Sequence, residues 1–201
     1  MEGKIVVFTG PMSSGKTTAL LNTIQRYQIR EIPTLVIKPK IDNRYATDHV
    51  LTHDKKHKAS CFSATKAKEI LIACQEYSVV GIDEAMMFDS ELIYVCQYLR
   101  AIGKTVYLST LDMDFRMEPF KFSDGKSSVG DLLAIANEVK KFQAVCTQRN
   151  HQGIVNGTDA HYTSRISDSK NLLEVGGLES YNPVSLNFHP RINFFKQLYT
   201  N

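Results

Sequence analysis

The sequence predicts an α/β fold: a P-loop NTPase (RecA-like) core with a mostly parallel sheet flanked by helices, joined to a small C-terminal lobe. Three observations lead there. Residues Gly10-Pro11-Met12-Ser13-Ser14-Gly15-Lys16-Thr17 match G-x-x-x-x-G-K-S/T and come just after the apolar run Ile5-Val6-Val7-Phe8. A second apolar run, Val79-Val80-Gly81-Ile82, ends in the acid pair Asp83-Glu84. Strand-like and helix-like segments alternate as far as Val145, the order that a parallel sheet covered on both faces requires.

Each element carries its own signal. The run from Ile5 to Phe8 is continuously apolar and bounded by Gly10-Pro11, which reads as a buried strand. From Lys16 to about Tyr27, the apolar residues Ala19, Leu20, Leu21 and Ile24 recur at helical spacing, and Thr34-Leu35-Val36-Ile37 reads as the next strand, completing a β-α-β unit. The stretch from Lys38 to about Ser60 is polar with little periodicity, the pattern of a functional loop. Helical spacing returns from Ala64 to Cys74, and a third buried strand runs from Ser78 to Ile82. A helix from about Ser90 to Ile102, a strand from Thr105 to Ser109, a helix from Gly130 to Val139 and a fifth strand from Phe142 to Val145 continue the series. After Cys146 the chain turns rich in Asn, Gly and Asp and loses long helical periodicity, so a first domain over residues 1–145 and a small lobe with a tail over 146–201 are expected. Candidate strands in that lobe run from Ala160 to Ile166 and from Asn171 to Val175.

Composition narrows the function class. With 201 residues, 43% of them hydrophobic, the chain can bury one good core and carry a small appendage. A formal charge of +3, with Lys and Arg scattered, argues against a nucleic-acid partner. No stretch is long enough to span a membrane, and the start lacks the apolar core of a signal peptide. Cys61, Cys74, Cys96 and Cys146 lie far apart with no C-x-x-C pair, which suits reduced thiols and a cytoplasmic location.

The 10–17 segment should grip a nucleoside triphosphate. Gly10 and Gly15 let the backbone wrap a phosphate, while the N-terminal amides of the following helix face the anion. Lys16 adds a positive charge, and Thr17 supplies a hydroxyl for Mg²⁺. Asp83 and Glu84 arrive at the C-terminal end of a strand, the edge where open α/β sheets bind ligands. Asp83 is the second Mg²⁺ ligand opposite Thr17, and Glu84, one residue farther, is placed to act as a base on either water or a substrate hydroxyl.

A set of further motifs follows in order: Ile41-Asp42-Asn43-Arg44-Tyr45, Thr52-His53-Asp54, Leu111-Asp112-x-x-Phe115, Pro119-Phe120, Tyr162-Thr163-x-Arg165 and Val175-Gly176-Gly177. With the phosphate loop and Gly81-Ile82-Asp83-Glu84, this series resembles the cytosolic, type II thymidine kinases over residues 3–181. The resemblance implies transfer of the γ-phosphoryl group of ATP to the 5′-hydroxyl of thymidine in nucleotide salvage, with Glu84 as the base. It implies that Arg44 and Asp42 support the phosphates and the metal shell, Arg44 by stabilising charge on the transferred group. It further implies a nucleoside pocket walled by Leu111, Phe115 and Phe120, and a lasso loop with Tyr162, Thr163, Val175 and Gly176 closing over the base through backbone groups. Tyr181 matches a sugar-contacting tyrosine, and a homotetramer is implied as the assembly.

The chain departs from that family pattern at two places. The family's structural zinc is held by two C-x-x-C pairs, whereas here Cys146 stands with Arg149, Ser185 and Phe188 at the four positions, so zinc is not expected. The cluster of Phe188, Ile192, Phe194 and Phe195 is expected to stabilise the lobe instead. After Glu84, Ala85-Met86-Met87-Phe88 replaces a stretch that is usually Gly or Ala, Gln, Phe, Phe. Met87 therefore takes an aromatic position beside the base, with a flexible thioether that stacks less well on a pyrimidine, and deoxyuridine is expected as a secondary substrate. The alternative function is a catalytically impaired nucleotide-binding regulator of the same fold, against which Lys16, Asp83, Glu84 and Arg44 all speak.

Overall fold

The computed structural model describes residues 2–42, 49–51, 58–150, 152–155, 157–166 and 180–198. In chain order the first half comprises β1 (Lys4–Thr9), α1 (Lys16–Gln28), β2 (Thr34–Pro39), β3 (His49–Leu51), β4 (Lys58–Ser60), β5 (Phe62–Ala64), α2 (Glu69–Ala73) and β6 (Val79–Ile82). A 3-10 turn over Ala85–Met87 leads to α3 (Glu91–Ala101), β7 (Thr105–Thr110), α4 (Val129–Ile135) and β8 (Glu138–Lys141). The remainder holds β9 (Ala144–Val145), β10 (Asp159–Ala160), β11 (Tyr162–Arg165), β12 (Tyr181–Val184) and α5 (Ile192–Gln197).

Six strands form one sheet in the order β5-β2-β6-β7-β1-β8, and every neighbouring pair is parallel. Alternation along β1 splits the core in two. Ile5 and Val7 face a cluster built with Ile82, Leu92, Val95, Leu99 and Leu132, on the side of α2, α3 and α4. Val6 and Phe8 face the other side, where α1 lays Leu20, Leu21 and Ile24 over the sheet with Val36, Val79 and Tyr107. Continuous apolar runs are what a strand buried on both faces demands, and those are the runs that made the central strands readable. Because the strands are parallel, the loops after β1, β2, β6 and β7 emerge on a single edge of the sheet.

Several expectations need correction. The helix expected from Ala64 to Cys74 is reduced to α2, and Phe62–Ala64 is instead the edge strand β5, paired with β2. The stretch from Lys38 to Ser60 is more than a loop, since β3 and β4 pair within it. The helix expected to reach Val139 stops at Ile135, where Ala136 turns extended, and the last sheet strand is Glu138–Lys141. That strand is exposed along its length and carries three charged residues, so it has no apolar run to announce it. Of the fifth strand expected from Phe142 to Val145, only Ala144–Val145 is extended pairing, and it joins the small lobe by pairing with β10.

The small lobe consists of two antiparallel pairs, β9 with β10 and β11 with β12, around Ala144, Cys146, Ala160 and Val184. Tyr162 and Phe188 pack against this cluster. The strand expected from Ala160 to Ile166 is broken at His161 into β10 and β11, and the one expected from Asn171 to Val175 lies outside the described residues.

Candidate functional site

The phosphate loop starts where β1 delivers the chain to the sheet edge. Gly10 adopts φ 135°, and a Cβ there would strike the carbonyl oxygen of Phe142, so the turn admits only glycine. Gly15, at φ 85°, is the left-handed residue from which α1 departs with Lys16. Ser13 is also left-handed, at φ 59°, and together these reversals bend the backbone into a concave loop at the N-terminus of a 13-residue helix. Lys16 is buried across the loop, where its Nζ donates to the Pro11 carbonyl and, at 3.3 Å, to Ser14 Oγ.

Asp83 stands directly opposite. Its N–H donates to the Ile37 carbonyl at 2.8 Å, tying the end of β6 to β2, and the residue is 4% exposed. Thr17 Oγ1 donates to Asp83 Oδ1 at 3.0 Å, and Ser109 Oγ donates to the same oxygen from β7. Three strand or helix ends thus focus two hydroxyls on one buried carboxylate, a hard oxygen set that suits Mg²⁺. Glu84, the next residue, sits at φ 49° and ψ 46°. A left-handed glutamate costs about 1–3 kcal/mol, the kind of strain that persists where the surroundings hold a residue for a task. Its carbonyl accepts the Met87 N–H at 3.0 Å, which anchors the 3-10 turn.

Asp42 is buried, 6% exposed, just beyond the end of β2, with its N–H on the Pro39 carbonyl. Arg44, with Val175 and Gly176, lies outside the described residues.

The apolar side of the site is built by the segment after β7. Leu111, Phe120 and Met87 are buried in the main cluster, against which Met12 of the phosphate loop also packs. Phe120 N–H donates to the Asp112 carbonyl at 2.9 Å and Asp114 N–H to the Glu118 carbonyl at 2.8 Å, closing a tight turn around Phe115. Asp114 stiffens it further: Oδ2 accepts Arg116 Nε and Nη2 at 2.8 and 2.6 Å, and Oδ1 accepts two backbone amides. This exchange of hydrogen bonds also raises the Arg116 pKa. Lys141, at the end of β8, meets the buried Asp112 at 2.7 Å, so the wall segment is tied to the strand beside the phosphate loop.

The small lobe reaches this edge through β11. Thr163 is buried, and its Oγ1 accepts the Met12 N–H of the phosphate loop at 3.0 Å. Arg165, two residues on and therefore on the same face of the strand, stacks on Phe115. Tyr162 points the other way: its ring packs on the lobe's own cluster and edge-on to His189, 5.9 Å between centroids. His189 is 1% exposed, and burial pushes its pKa below the ordinary imidazole value, with the Arg191 charge acting in the same direction. Arg191 in turn donates to the Arg116 carbonyl and to Glu118 at 3.2 Å, clipping the chain after the lobe to the wall segment.

The positions compared with the family's zinc ligands hold Cys146, Arg149, Ser185 and Phe188. Cys146 is wholly buried among alanines and Val184, Phe188 packs on that cluster, and Arg149 Nη1 donates to the Gly153 carbonyl at 2.6 Å. A guanidinium and a phenyl ring offer no ligand, and among the described residues no group of three or more His, Cys, Asp or Glu side chains could hold a metal.

Sequence reasoning assigned no role to Ser109, Asp112, Lys141 or Arg165. Ser109 is the last residue but one of a buried strand at the ligand edge and Asp112 and Arg165 lie inside quoted motifs, so position gave a signal; Lys141 closes a strand that had no signature at all.

Residues 3–189 match the family model for thymidine kinase. A thymidine kinase of Porphyromonas gingivalis is 37% identical over 183 residues, which cover 91% of this chain and 83% of that one. One from Coprothermobacter proteolyticus is 37% identical over 185 residues, covering 90% and 87%, and one from Raccoon poxvirus is 32% identical over 182 residues, covering 90% and 94%.

Proposed function

Because the chain belongs to the thymidine kinase family and is an ATP-dependent thymidine kinase, we propose a division of labour in which the 10–17 loop holds the donor and Glu84 activates the acceptor. The supporting observation is the junction of Thr17 and Asp83 at 3.0 Å, with strained Glu84 as the next residue on the same edge. Thr17 and Asp83 would hold Mg²⁺, which would supply positive charge to offset that of the phosphates. Lys16 and the loop amides orient the β- and γ-phosphates. Glu84 accepts the proton of the thymidine 5′-hydroxyl as that oxygen bonds to the γ-phosphorus. The bond from that phosphorus to the bridging oxygen breaks, and ADP and thymidine 5′-monophosphate leave.

Asp42 and Arg44 serve the phosphate and metal side, a role supported by the family motif and, for Asp42, by its burial beyond β2. Met87, Leu111, Phe115, Phe120, Thr163 and Tyr181 form the nucleoside side, closed by the backbone of Val175 and Gly176. Tyr162, which packs inward, supports the lobe that carries them. With Met87 in place of an aromatic, deoxyuridine is accepted as a weaker substrate.

The lobe folds without zinc, held by packing around Cys146 and Phe188. The assembly is a homotetramer; the exposed Tyr94 and Tyr98 of α3, with Ile102 just after it, offer a face for it, and light scattering on the purified chain checks the mass. A cytoplasmic location is in keeping with four cysteines that lie far apart and form no C-x-x-C pair.

A coupled ADP-release assay with Mg-ATP tests the reading. Release should require thymidine, be weaker with deoxyuridine, and be negligible with deoxycytidine, deoxyguanosine or no acceptor. ADP appearing equally without any nucleoside would make the protein an ATPase and end the acceptor assignment.

A further inference from the structure

Arg165 joins aromatic residues from the two lobes. Its guanidinium carbon lies 3.9 Å from the centre of the Phe115 ring and 5.3 Å from that of Tyr181, and Nη2 donates to the Tyr181 hydroxyl at 2.7 Å. Phe115 belongs to the stiff turn after β7, held by the Asp114 hydrogen bonds, whereas Tyr181 begins β12. Arg165 and Tyr181 pair across β11 and β12, and the neighbouring Ile166 N–H donates to the Ser180 carbonyl at 2.8 Å, so the strands are held together at this end. Thr163 Oγ1 accepts the Met12 N–H of the phosphate loop, which sets the face of the strand that Arg165 shares.

We infer that Arg165 is a positioning residue for nucleoside recognition, holding Phe115 of the main domain and Tyr181 of the small lobe in one stacked and hydrogen-bonded unit. The inference rests on the proposed assignment of those two aromatics to thymidine. A flat guanidinium suits the task because it can lie on a ring while its fork donates sideways, and both faces are attractive to aromatic π-electrons. Lysine keeps the charge but has neither the plane nor the fork, so Arg165→Lys separates the geometry from the charge.

The test measures thymidine KM and kcat together with the thermal shifts produced by thymidine and by ADP, for wild type, Arg165→Lys, Arg165→Met and Tyr181→Phe. Arg165→Lys should raise the thymidine KM about 10-fold with kcat within about threefold, the pattern of lost binding that is uniform between ground and transition states. The thymidine-induced shift should shrink while the ADP-induced shift stays at the wild-type value. Tyr181→Phe, which keeps the ring and loses the hydroxyl, should lie between wild type and Arg165→Met. A wild-type KM in Arg165→Lys, or equal losses of both thermal shifts, would overturn the inference; the second pattern marks general destabilisation. Wild-type protein that neither binds nor phosphorylates thymidine would sink the nucleoside reading itself, and is told apart because it fails before any substitution is made.

Discussion

The edge of the main sheet and the small lobe reach the same site by different means. At the sheet edge, function is built into the backbone: Gly10, Ser13 and Gly15 turn the chain, Asp83 is pinned by its own amide to β2, and Glu84 is held left-handed. In the lobe, two strand pairs surround a cluster of four small residues, and the links to the rest are side-chain bonds from Thr163, Arg165 and Arg191. A site made from strand ends inherits the rigidity of the sheet, whereas a lobe with so small a core depends on its individual contacts. The difference matches the proposed tasks, since charge stabilisation needs preorganisation and nucleoside entry needs a part that can give way.

The largest effect that would sharpen this contrast lies at the rigid edge. Lys16→Ala should cut kcat/KM by about 10³-fold or more, with the far-ultraviolet circular dichroism unchanged, because charge on the transferred phosphoryl loses its partner while the fold keeps its core. Next comes packing. Ile82→Ala, under the sheet edge, should cost about 2–5 kcal/mol of global stability by leaving a cavity in a fully buried site. Phe188→Ala, on the lobe cluster, should instead loosen the lobe locally, read as faster hydrogen exchange in β9 to β12 with little change in β1, β6 and β7. Equal losses of global stability would break the contrast.

Smaller still is the seam between them. Thr163→Val keeps the shape and removes the acceptor for the Met12 N–H, and should raise the thymidine KM by about three- to tenfold, corresponding to about 1 kcal/mol for a lost partly buried hydrogen bond. The smallest expected effect is a pH dependence at His189. Its folded pKa lies below the ordinary 6.5, so the folded state binds fewer protons than the unfolded chain. Stability is then full above about pH 6.5 and declines as the pH falls from there through the folded value, with Arg191 reinforcing the trend and Asp114 opposing it. His189→Gln should flatten the slope of melting temperature between pH 7 and 5, measured against wild type.

Legibility in the sequence followed the same division. The central strands β1, β2, β6 and β7 were readable because burial on both faces writes them as unbroken apolar runs, and the phosphate loop because its backbone reversals demand glycine. The edge strands were not: β8 is charged and exposed, and the three-residue β5 is indistinguishable in composition from a helix start. In the site, the meeting of Thr17 with Asp83 at one sheet edge could be anticipated, because both residues belong to motifs that follow buried strands. The convergence of Ser109 on Asp83, the Lys141–Asp112 pair and the stack of Arg165 on Phe115 could not, since each joins residues far apart in sequence through tertiary geometry. The inward turn of Tyr162 was hidden for a related reason, because strand alternation assigns its face only once the register of β11 against β12 is known.

The most direct measurement is the single-turnover rate of phosphoryl transfer to thymidine in wild type and Glu84→Gln, with ATP and thymidine both saturating and their binding measured separately by calorimetry. The account predicts binding of both substrates within about threefold of wild type and a rate lower by about 10²- to 10⁴-fold, the range for loss of a general base. A Glu84→Gln enzyme that transfers at the wild-type rate, with binding intact, would contradict the assignment of the base and the division between a rigid chemical edge and a yielding nucleoside lobe.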